Sequence, residues 1–142
     1  MIDDTGLPKH GRHSVGVAHQ CCGESGKKDN CQAAVSLSIA NAHASLPVAY
    51  RLYLPQSWAD DMKRRAKAGV PDEITFETKN EIAREQIEWA CAAGVPHGIV
   101  LADSAYGKDA TLRARISELG LQYSVGIRGE ARVGRRSCRA GG

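Results

Sequence analysis

The chain has 142 residues, of which 42% are hydrophobic and 25% charged, a length that suits one globular domain and is short for two. No apolar run approaches the ~20 residues of a transmembrane helix, and the first residues lack the basic and apolar regions of a signal peptide. The five cysteines include no C-x-x-C pair, as is typical of free thiols in a reducing compartment. These features argue against a membrane-spanning protein and predict a cytoplasmic one.

The formal net charge of +3 is concentrated at the carboxyl terminus. Residues 128–142 hold five arginines and one glutamate, so the rest of the chain is close to neutral. This segment has neither helical nor strand periodicity, which predicts a disordered basic tail able to contact phosphates. An out-of-frame readthrough from a broken gene explains the same composition, and we favour that origin.

The amino-terminal half is predicted to be mostly β-structure. A short first strand, Met1 to Asp4, is followed by turn residues, and residues 12–30 show no regular pattern. Residues 31–40 and 46–54 then alternate between apolar and polar side chains. Two such runs joined by a turn predict an antiparallel hairpin.

Two tryptophans are expected to lie in the core. Trp58 and Met62 are four residues apart in a charged segment, which predicts one or two helical turns with these side chains on one face. Trp89 lies on the apolar stripe of the helix described next. Both rings are therefore expected to pack against apolar side chains and not to stack on bases.

The carboxyl-terminal half alternates helices and strands. A capping box formed with Glu81 predicts a helix from Thr78 to Ala93, the end being marked by a glycine and a proline. A strand at 99–103, a helix capped by Asp109 and a strand at 121–127 follow. The last three elements form a β-α-β unit, whose two strands should be parallel.

Two acidic sites carry most of the chemical information. Asp4, which follows Asp3, ends the first strand, and Asp103 ends the strand at 99–103. In one α/β sheet both carboxylates would lie beyond the carboxyl ends of strands, where such sheets bind ligands. Two carboxylates suit a hard cation such as Mg²⁺, which leaves positions for phosphate oxygens and water. The simplest chemistry is therefore metal-assisted attack on a phosphodiester.

The predicted order of elements, three strands, a helix, a strand, a helix and a strand, resembles the ribonuclease H-like fold, an α/β mixed sheet with flanking helices. Several motifs also resemble bacterial insertion-sequence transposases of the DDE superfamily, over about residues 1–127. These motifs are Asp3-Asp4-Thr5-Gly6, Ser14-Val-Gly-Val-Ala18, Arg51-Leu-Tyr-Leu-Pro-Gln-Ser-Trp58, Asp60-Asp61, Arg64-Arg65, Ala68-Gly-Val-Pro71 and Ala102-Asp103-Ser104-Ala105-Tyr106-Gly107.

The resemblance implies that Asp4 and Asp103 are catalytic and ligate two divalent ions, Mg²⁺ or Mn²⁺, during DNA cleavage and strand transfer at transposon ends. It favours Asp4 over Asp3, since consecutive strand side chains point to opposite faces. It also implies a third acid, a Glu on a later helix, and Glu130 is too near the last strand to serve. We therefore expect residues 1–127 to be a partial catalytic domain, with a short first strand and no final catalytic helix. Such a fragment would be inactive alone, and its parent would bind DNA as a homodimer.

Charge makes five residues candidates for contact with DNA phosphates. They are Lys9, Arg12, Lys63, Arg64 and Arg65. A solvated surface explains the same residues equally well.

Two other functions are weighed against the transposase. An α/β phosphohydrolase-like domain also gathers acids at strand ends, but the Asp-x-Asp-x-Thr pattern needs an acid two positions after the nucleophile. Here Thr5 follows Asp3 and Gly6 follows Asp4, which argues against that class. A non-catalytic DNA-binding remnant is the second candidate, and binding to DNA without metal would distinguish it.

Overall fold

The computed structural model describes residues 1–22 and 26–127, so the predicted basic tail at 128–142 lies outside the described residues. No helix within these ranges is long and apolar enough to cross a membrane. In chain order the elements are β1 (Ile2–Pro8), β2 (Ala18–Cys22), β3 (Lys27–Ala40), β4 (Ser45–Leu52), α1 (Gln56–Ala59), α2 (Met62–Ala68), α3 (Lys79–Ala92), β5 (Val100–Ala102), α4 (Ser104–Gly107), α5 (Ala110–Glu118) and β6 (Tyr123–Val125).

The six strands form one mixed sheet. β1 lies between β3, to which it is antiparallel, and β5, to which it is parallel, and β6 continues the sheet parallel to β5. β2 and β4 pair with the other edge of β3, since Cys31 pairs with Pro8 on one side and with Ala18 on the other. The carboxyl ends of β1, β5 and β6 therefore share one edge of the sheet. This arrangement with its flanking helices confirms the predicted ribonuclease H-like α/β fold.

β1 is longer than the sequence pattern predicts. All seven of its residues, Ile2 to Pro8, pair with β3, so the chain stays extended through Thr5 and Gly6. Pro8 stands at the end of the strand, where a missing N–H disrupts little of the ladder. The expectation of a short first strand was wrong because pairing with β3 outweighs the turn tendency of Thr5-Gly6.

The first hairpin was also missed by the sequence pattern. Residues 12–30, expected to be irregular, contain β2 and the start of β3, which pair from Ala18 opposite Cys31 to Cys22 opposite Lys27. Residues 18–22 and 27–30 carry mostly polar or charged side chains, so apolar alternation is too weak there to reveal the strands. The later hairpin was predicted correctly and consists of β3 and β4.

The main core lies between one face of the sheet and the helices α3 and α5. The predicted capping box is present: the Thr78 hydroxyl accepts a hydrogen bond from the Glu81 N–H, and the Glu81 carboxylate accepts one from the Thr78 N–H. Asp109 caps α5, as predicted, by accepting one hydrogen bond from the Leu112 N–H at 2.9 Å. The buried residues of this core are Ile2, Val35, Leu37, Ile82, Ala83, Ile87, Ala90, Val100, Tyr106, Leu112, Ile116 and Leu121.

A second apolar group, called the Trp58 cluster below, consists of Val17, Leu54 and Trp58. Trp58 is fully buried, and its indole N–H donates to the Val17 carbonyl at 2.8 Å, so its predicted core position is confirmed. Trp89 was wrongly predicted to be buried. It is 50% exposed because it lies at the border of the α3 stripe, next to the buried Ala90.

Candidate metal and nucleic-acid site

The two predicted acids lie on adjoining strands, Asp103 directly after the end of β5 and Asp4 in the middle of β1, so the prediction that Asp4 ends the first strand was wrong. Ile2 of β1 pairs with Ala102 of β5, so Asp4 stands two residues beyond this pair and Asp103 one residue beyond it. Asp4 is on the same face of β1 as the buried Ile2, since side chains alternate along a strand. This face also carries α3 and α5.

Tyr106 connects the two acids. Its hydroxyl donates to Oδ1 of Asp4, and its main-chain N–H donates to Oδ1 of Asp103 at 3.3 Å. The second contact belongs to the cap of α4, in which Asp103 also accepts from the Ala105 N–H at 2.8 Å. One residue thus orients both carboxylates. Together with Lys79, described next, these three residues form what we call the acidic edge: Asp4, Lys79, Asp103 and Tyr106.

Asp4 carries an ion pair as well as this hydrogen bond. The ammonium group of Lys79, at the start of α3, lies 2.5 Å from Oδ2 of Asp4. The two side chains are 25% and 30% exposed, so the pair stands in contact with solvent. Both oxygens of Asp4 therefore have donors, while Asp103 is exposed and engaged only by main-chain N–H groups among the described contacts.

The Tyr106 side chain is buried and acts as a hydrogen-bond donor. Burial away from water raises the pKa of its hydroxyl strongly, and the hydrogen bond to the Asp4 carboxylate raises it further. The negative charges of Asp103 and Asp3 have the same effect. Tyr106 therefore stays neutral at any physiological pH and keeps its proton on the oxygen that faces Asp4.

A close backbone approach places α4, and with it Tyr106, against β6. A Cβ on Gly107 would overlap the Gly126 carbonyl oxygen and lie 2.8 Å from the Cβ of Val125. No residue larger than glycine fits this contact without moving α4. This close contact explains why a glycine, Gly107, ends the motif that begins at Ala102.

The basic residues predicted to bind DNA have different surroundings. Arg64 lies with its guanidinium 3.8 Å above the Trp58 ring and donates to the Arg12 carbonyl at 2.8 Å, which brings Arg12 and α2 together. Lys63, at the start of α2, is exposed. Lys9 directly follows β1, where the Asn30 amide donates to its carbonyl at 2.6 Å.

Arg65 departs from the sequence expectation. Its side chain is buried, and its guanidinium donates to the carbonyls of Ala59, Pro71 and Ile74. The bonds to Pro71 and Ile74 hold the segment between α2 and α3 against the buried Arg65 side chain. Arg65 is therefore not available to a DNA phosphate in this structure.

The chemistry of the acidic edge fits a divalent cation in part. Carboxylate oxygens are the ligands that Mg²⁺ and Mn²⁺ prefer, and the Lys79 ammonium already marks Asp4 as a position that attracts a cation. Within residues 1–22 and 26–127, however, no group of three or more His, Cys, Asp or Glu side chains is arranged to hold a metal. The edge supplies two acids, and the predicted third has no counterpart there.

Sequence reasoning gave no role to Tyr106 or Lys79. Tyr106 belongs to the recognised Asp103 motif, so its spacing was a usable signal. Lys79 carried none, because it contacts an acid 75 residues away in the chain.

Comparison with known proteins gives the family. The sequence profile described as DDE superfamily endonuclease matches residues 1–138. A protein of Microchaete diplosiphon, described as a probable transposase for insertion sequence element IS701, is 33% identical over 129 residues, which are 90% of this chain and 31% of that protein. The chain thus spans about a third of the length of this relative. No solved structure matches significantly. The chain belongs to the DDE superfamily endonuclease family, which confirms the resemblance seen in its motifs.

Proposed function

We propose that this chain forms the two-acid part of the catalytic centre of an insertion-sequence transposase, and that residues 1–127 are one unit of its catalytic domain. Asp4 and Asp103 would hold Mg²⁺ or Mn²⁺ between them. The observation that carries the proposal is the register of β1 and β5, together with the two hydrogen bonds by which Tyr106 orients both carboxylates. A rigid pair of acids on adjoining strands is what a shared cation requires.

The proposed reaction is hydrolysis of a DNA phosphodiester followed by strand transfer at transposon ends. A divalent ion held by Asp4 and Asp103 would supply activation of a water or of a 3′-hydroxyl and stabilisation of the leaving oxygen. The chain's own contribution is positional: Tyr106 and the cap of α4 fix the directions from which Asp4 and Asp103 offer oxygens. Since the described residues supply only two acids, we expect this chain alone to bind metal weakly and to cleave DNA little.

DNA is the proposed partner. Lys9 lies beyond the carboxyl end of β1, and Arg12, Lys63 and Arg64 extend the basic surface from there to α2. Such a surface would contact phosphates with little regard to sequence and with strong salt dependence. We propose that the parent protein acts in the cytoplasm as a homodimer on DNA, and Arg65 takes no part in the contact.

Calorimetric titration of the whole chain with Mn²⁺ tests the metal site. Asp4→Asn and Asp103→Asn should each weaken binding at least tenfold, since a lost carboxylate removes both a ligand and a charge. Asparagine at position 103 can still cap α4, and asparagine at position 4 can still accept the Tyr106 hydrogen bond, so both variants should fold. Asp72→Asn, in the exposed segment before α3, is the matched control and should bind as the wild type does. Equal affinity in all four proteins would refute the proposal.

The non-catalytic DNA-binding remnant remains the rival function. The observation in its favour is that no third acidic side chain joins Asp4 and Asp103 in a metal-binding group among the described residues. Anisotropy of labelled duplex DNA in EDTA and in Mg²⁺ separates the two, because a remnant would bind equally in both. The proposed function requires Mg²⁺ to strengthen binding, since the acids otherwise repel the phosphates.

A further inference from the structure

The cation that pairs with Asp4 is the ammonium group of Lys79, and its position in α3 does not favour the stability of that helix. Lys79 is the first residue of α3, where the helix dipole disfavours a positive charge and where acidic residues are preferred. Glu81 supplies the favourable charge in this turn and completes the capping box. The position of Lys79 is therefore better explained by its partner, Asp4, than by the helix.

The environment of Lys79 combines a fixed backbone with a movable head group. The capping box at Thr78 holds the main chain next to it, while the side chain reaches Asp4 through four methylene groups. The ammonium also lies 5.4 Å from the centre of the Tyr53 ring, whose face attracts cations. With a side-chain exposure of 25%, the amine can reach solvent without any change of backbone.

We infer that Lys79 is a built-in counter-ion, which occupies the cation position on Asp4 in the metal-free protein and turns outward when a divalent ion binds. The inference rests on the proposed function, because it takes Asp4 as a metal ligand. An ammonium 2.5 Å from Oδ2 and a divalent ion on the same carboxylate would repel each other strongly at such short range. The released amine then lies at the edge of the site and is a partner for a DNA phosphate.

Tyr106 makes this exchange possible without loss of geometry. It bonds Oδ1 of Asp4, the oxygen that Lys79 does not use. Asp4 therefore keeps its orientation while Oδ2 passes from one cation to the other. Without Lys79, the metal-free protein would lose the ammonium group that pairs with the Asp4 carboxylate.

The first test compares Mn²⁺ affinity in the wild type, Lys79→Met and Lys67→Met. Methionine keeps an apolar stem and removes the charge, and Lys67 in α2 provides the same loss of charge away from Asp4. Lys79→Met should bind Mn²⁺ about three- to tenfold more tightly, because no ion pair has to be broken and no repulsion remains. Lys67→Met should match the wild type, and Lys79→Met combined with Asp4→Asn should lose the gain.

The second test follows the amine itself. Acetylation of lysines by acetic anhydride, read by peptide mass spectrometry, should be slow at Lys79 in the metal-free protein and several-fold faster with saturating Mn²⁺. In Asp4→Asn it should be fast with or without Mn²⁺, while Lys67 should not respond in any sample. These outcomes do not depend on DNA cleavage.

The results separate the inference from the proposed function. If the wild type binds Mn²⁺ through Asp4 and Lys79→Met binds equally well, the counter-ion inference is wrong and the metal site stands. Unchanged acetylation of Lys79 on metal binding has the same meaning. If neither the wild type nor Lys79→Met binds Mn²⁺, both proposals fail.

Discussion

The acidic edge and the Trp58 cluster both bring charged side chains next to a buried aromatic ring, but they use the charges differently. In the Trp58 cluster, Arg64 covers the indole and donates to main-chain carbonyls, and the adjacent Arg65 is buried on carbonyls alone. At the acidic edge, Lys79 and Asp4 bond each other while both remain partly exposed. A buried guanidinium held by main-chain carbonyls, such as that of Arg65, stays in place, whereas a partly exposed side-chain partner can be exchanged. We therefore assign the first region to stability and propose the second as a binding site.

The largest expected effect belongs to the Trp58 cluster. Trp58→Ala removes a fully buried ring and its bond to the Val17 carbonyl, and should lower the free energy of unfolding by about 3–5 kcal/mol. Urea denaturation followed by circular dichroism measures this loss. Trp89→Ala is the control, and its cost should stay below about 1 kcal/mol because the ring is 50% exposed. A similar loss of unfolding free energy in both variants would contradict the assignment of Trp58 to the core and of Trp89 to the surface.

The backbone contact behind the acidic edge should come next. Gly107→Ala forces a methyl group against the Gly126 carbonyl and Val125, which should destabilise the protein by about 1–3 kcal/mol. The shift of α4 should also weaken Mn²⁺ binding, since Tyr106 and Asp103 move with it. Gly98→Ala, at a site with no atom near the added Cβ, is the matched control for the loss of a glycine. An unchanged Mn²⁺ affinity in Gly107→Ala would show that α4 does not position the acids.

A smaller, pH-dependent effect is expected from Tyr106. Because its pKa is raised in the folded protein, the folded state keeps a proton that the unfolded state loses above its ordinary pKa of 10.0. Stability from this hydroxyl is therefore complete below that pH and declines as the pH rises above it. Tyr106→Phe should cost about 1 kcal/mol at pH 8 and should show a shallower decline above pH 10 in urea denaturation. An identical alkaline decline in both proteins would mean that other groups cause it.

The smallest expected effect concerns DNA. Lys63→Gln should reduce the slope of log affinity against log salt by about one, as expected for one lost phosphate contact. Fluorescence anisotropy of a labelled DNA duplex, titrated at salt concentrations from about 50 to about 200 mM, would measure this slope. Arg84→Gln removes an equal charge from α3 and should leave the slope unchanged. Equal slopes for all three proteins would remove α2 from the DNA surface.

Local patterns in the sequence predicted those parts of the fold that local interactions decide. The capping box at Thr78, the cap at Asp109 and the alternation along β3 and β4 all act within a few residues, and the structure contains each of them. β2 lacks apolar alternation and was missed. Trp89 was misplaced because a position next to a buried stripe is not necessarily part of it.

The candidate site was predictable only in its acids. Asp4 and Asp103 could be chosen because predicted strand ends and family motifs indicated them, although Asp4 lies inside β1. Their placement on adjoining strands followed from the fold. Lys79 and Tyr106 reach Asp4 across 75 and 102 residues of chain, so no local pattern reveals those contacts. Arg64 and Arg65 are neighbours of the same type, and only packing separates the one on the surface from the one inside.

The most direct test of the shared site is the anomalous diffraction of Mn²⁺ in crystals of this chain. We predict one peak within ~2.1–2.2 Å of an oxygen of Asp4 and of an oxygen of Asp103, with the Lys79 ammonium turned away from Oδ2. A peak bound to only one of the two carboxylates, or none near either at saturating Mn²⁺, would contradict it.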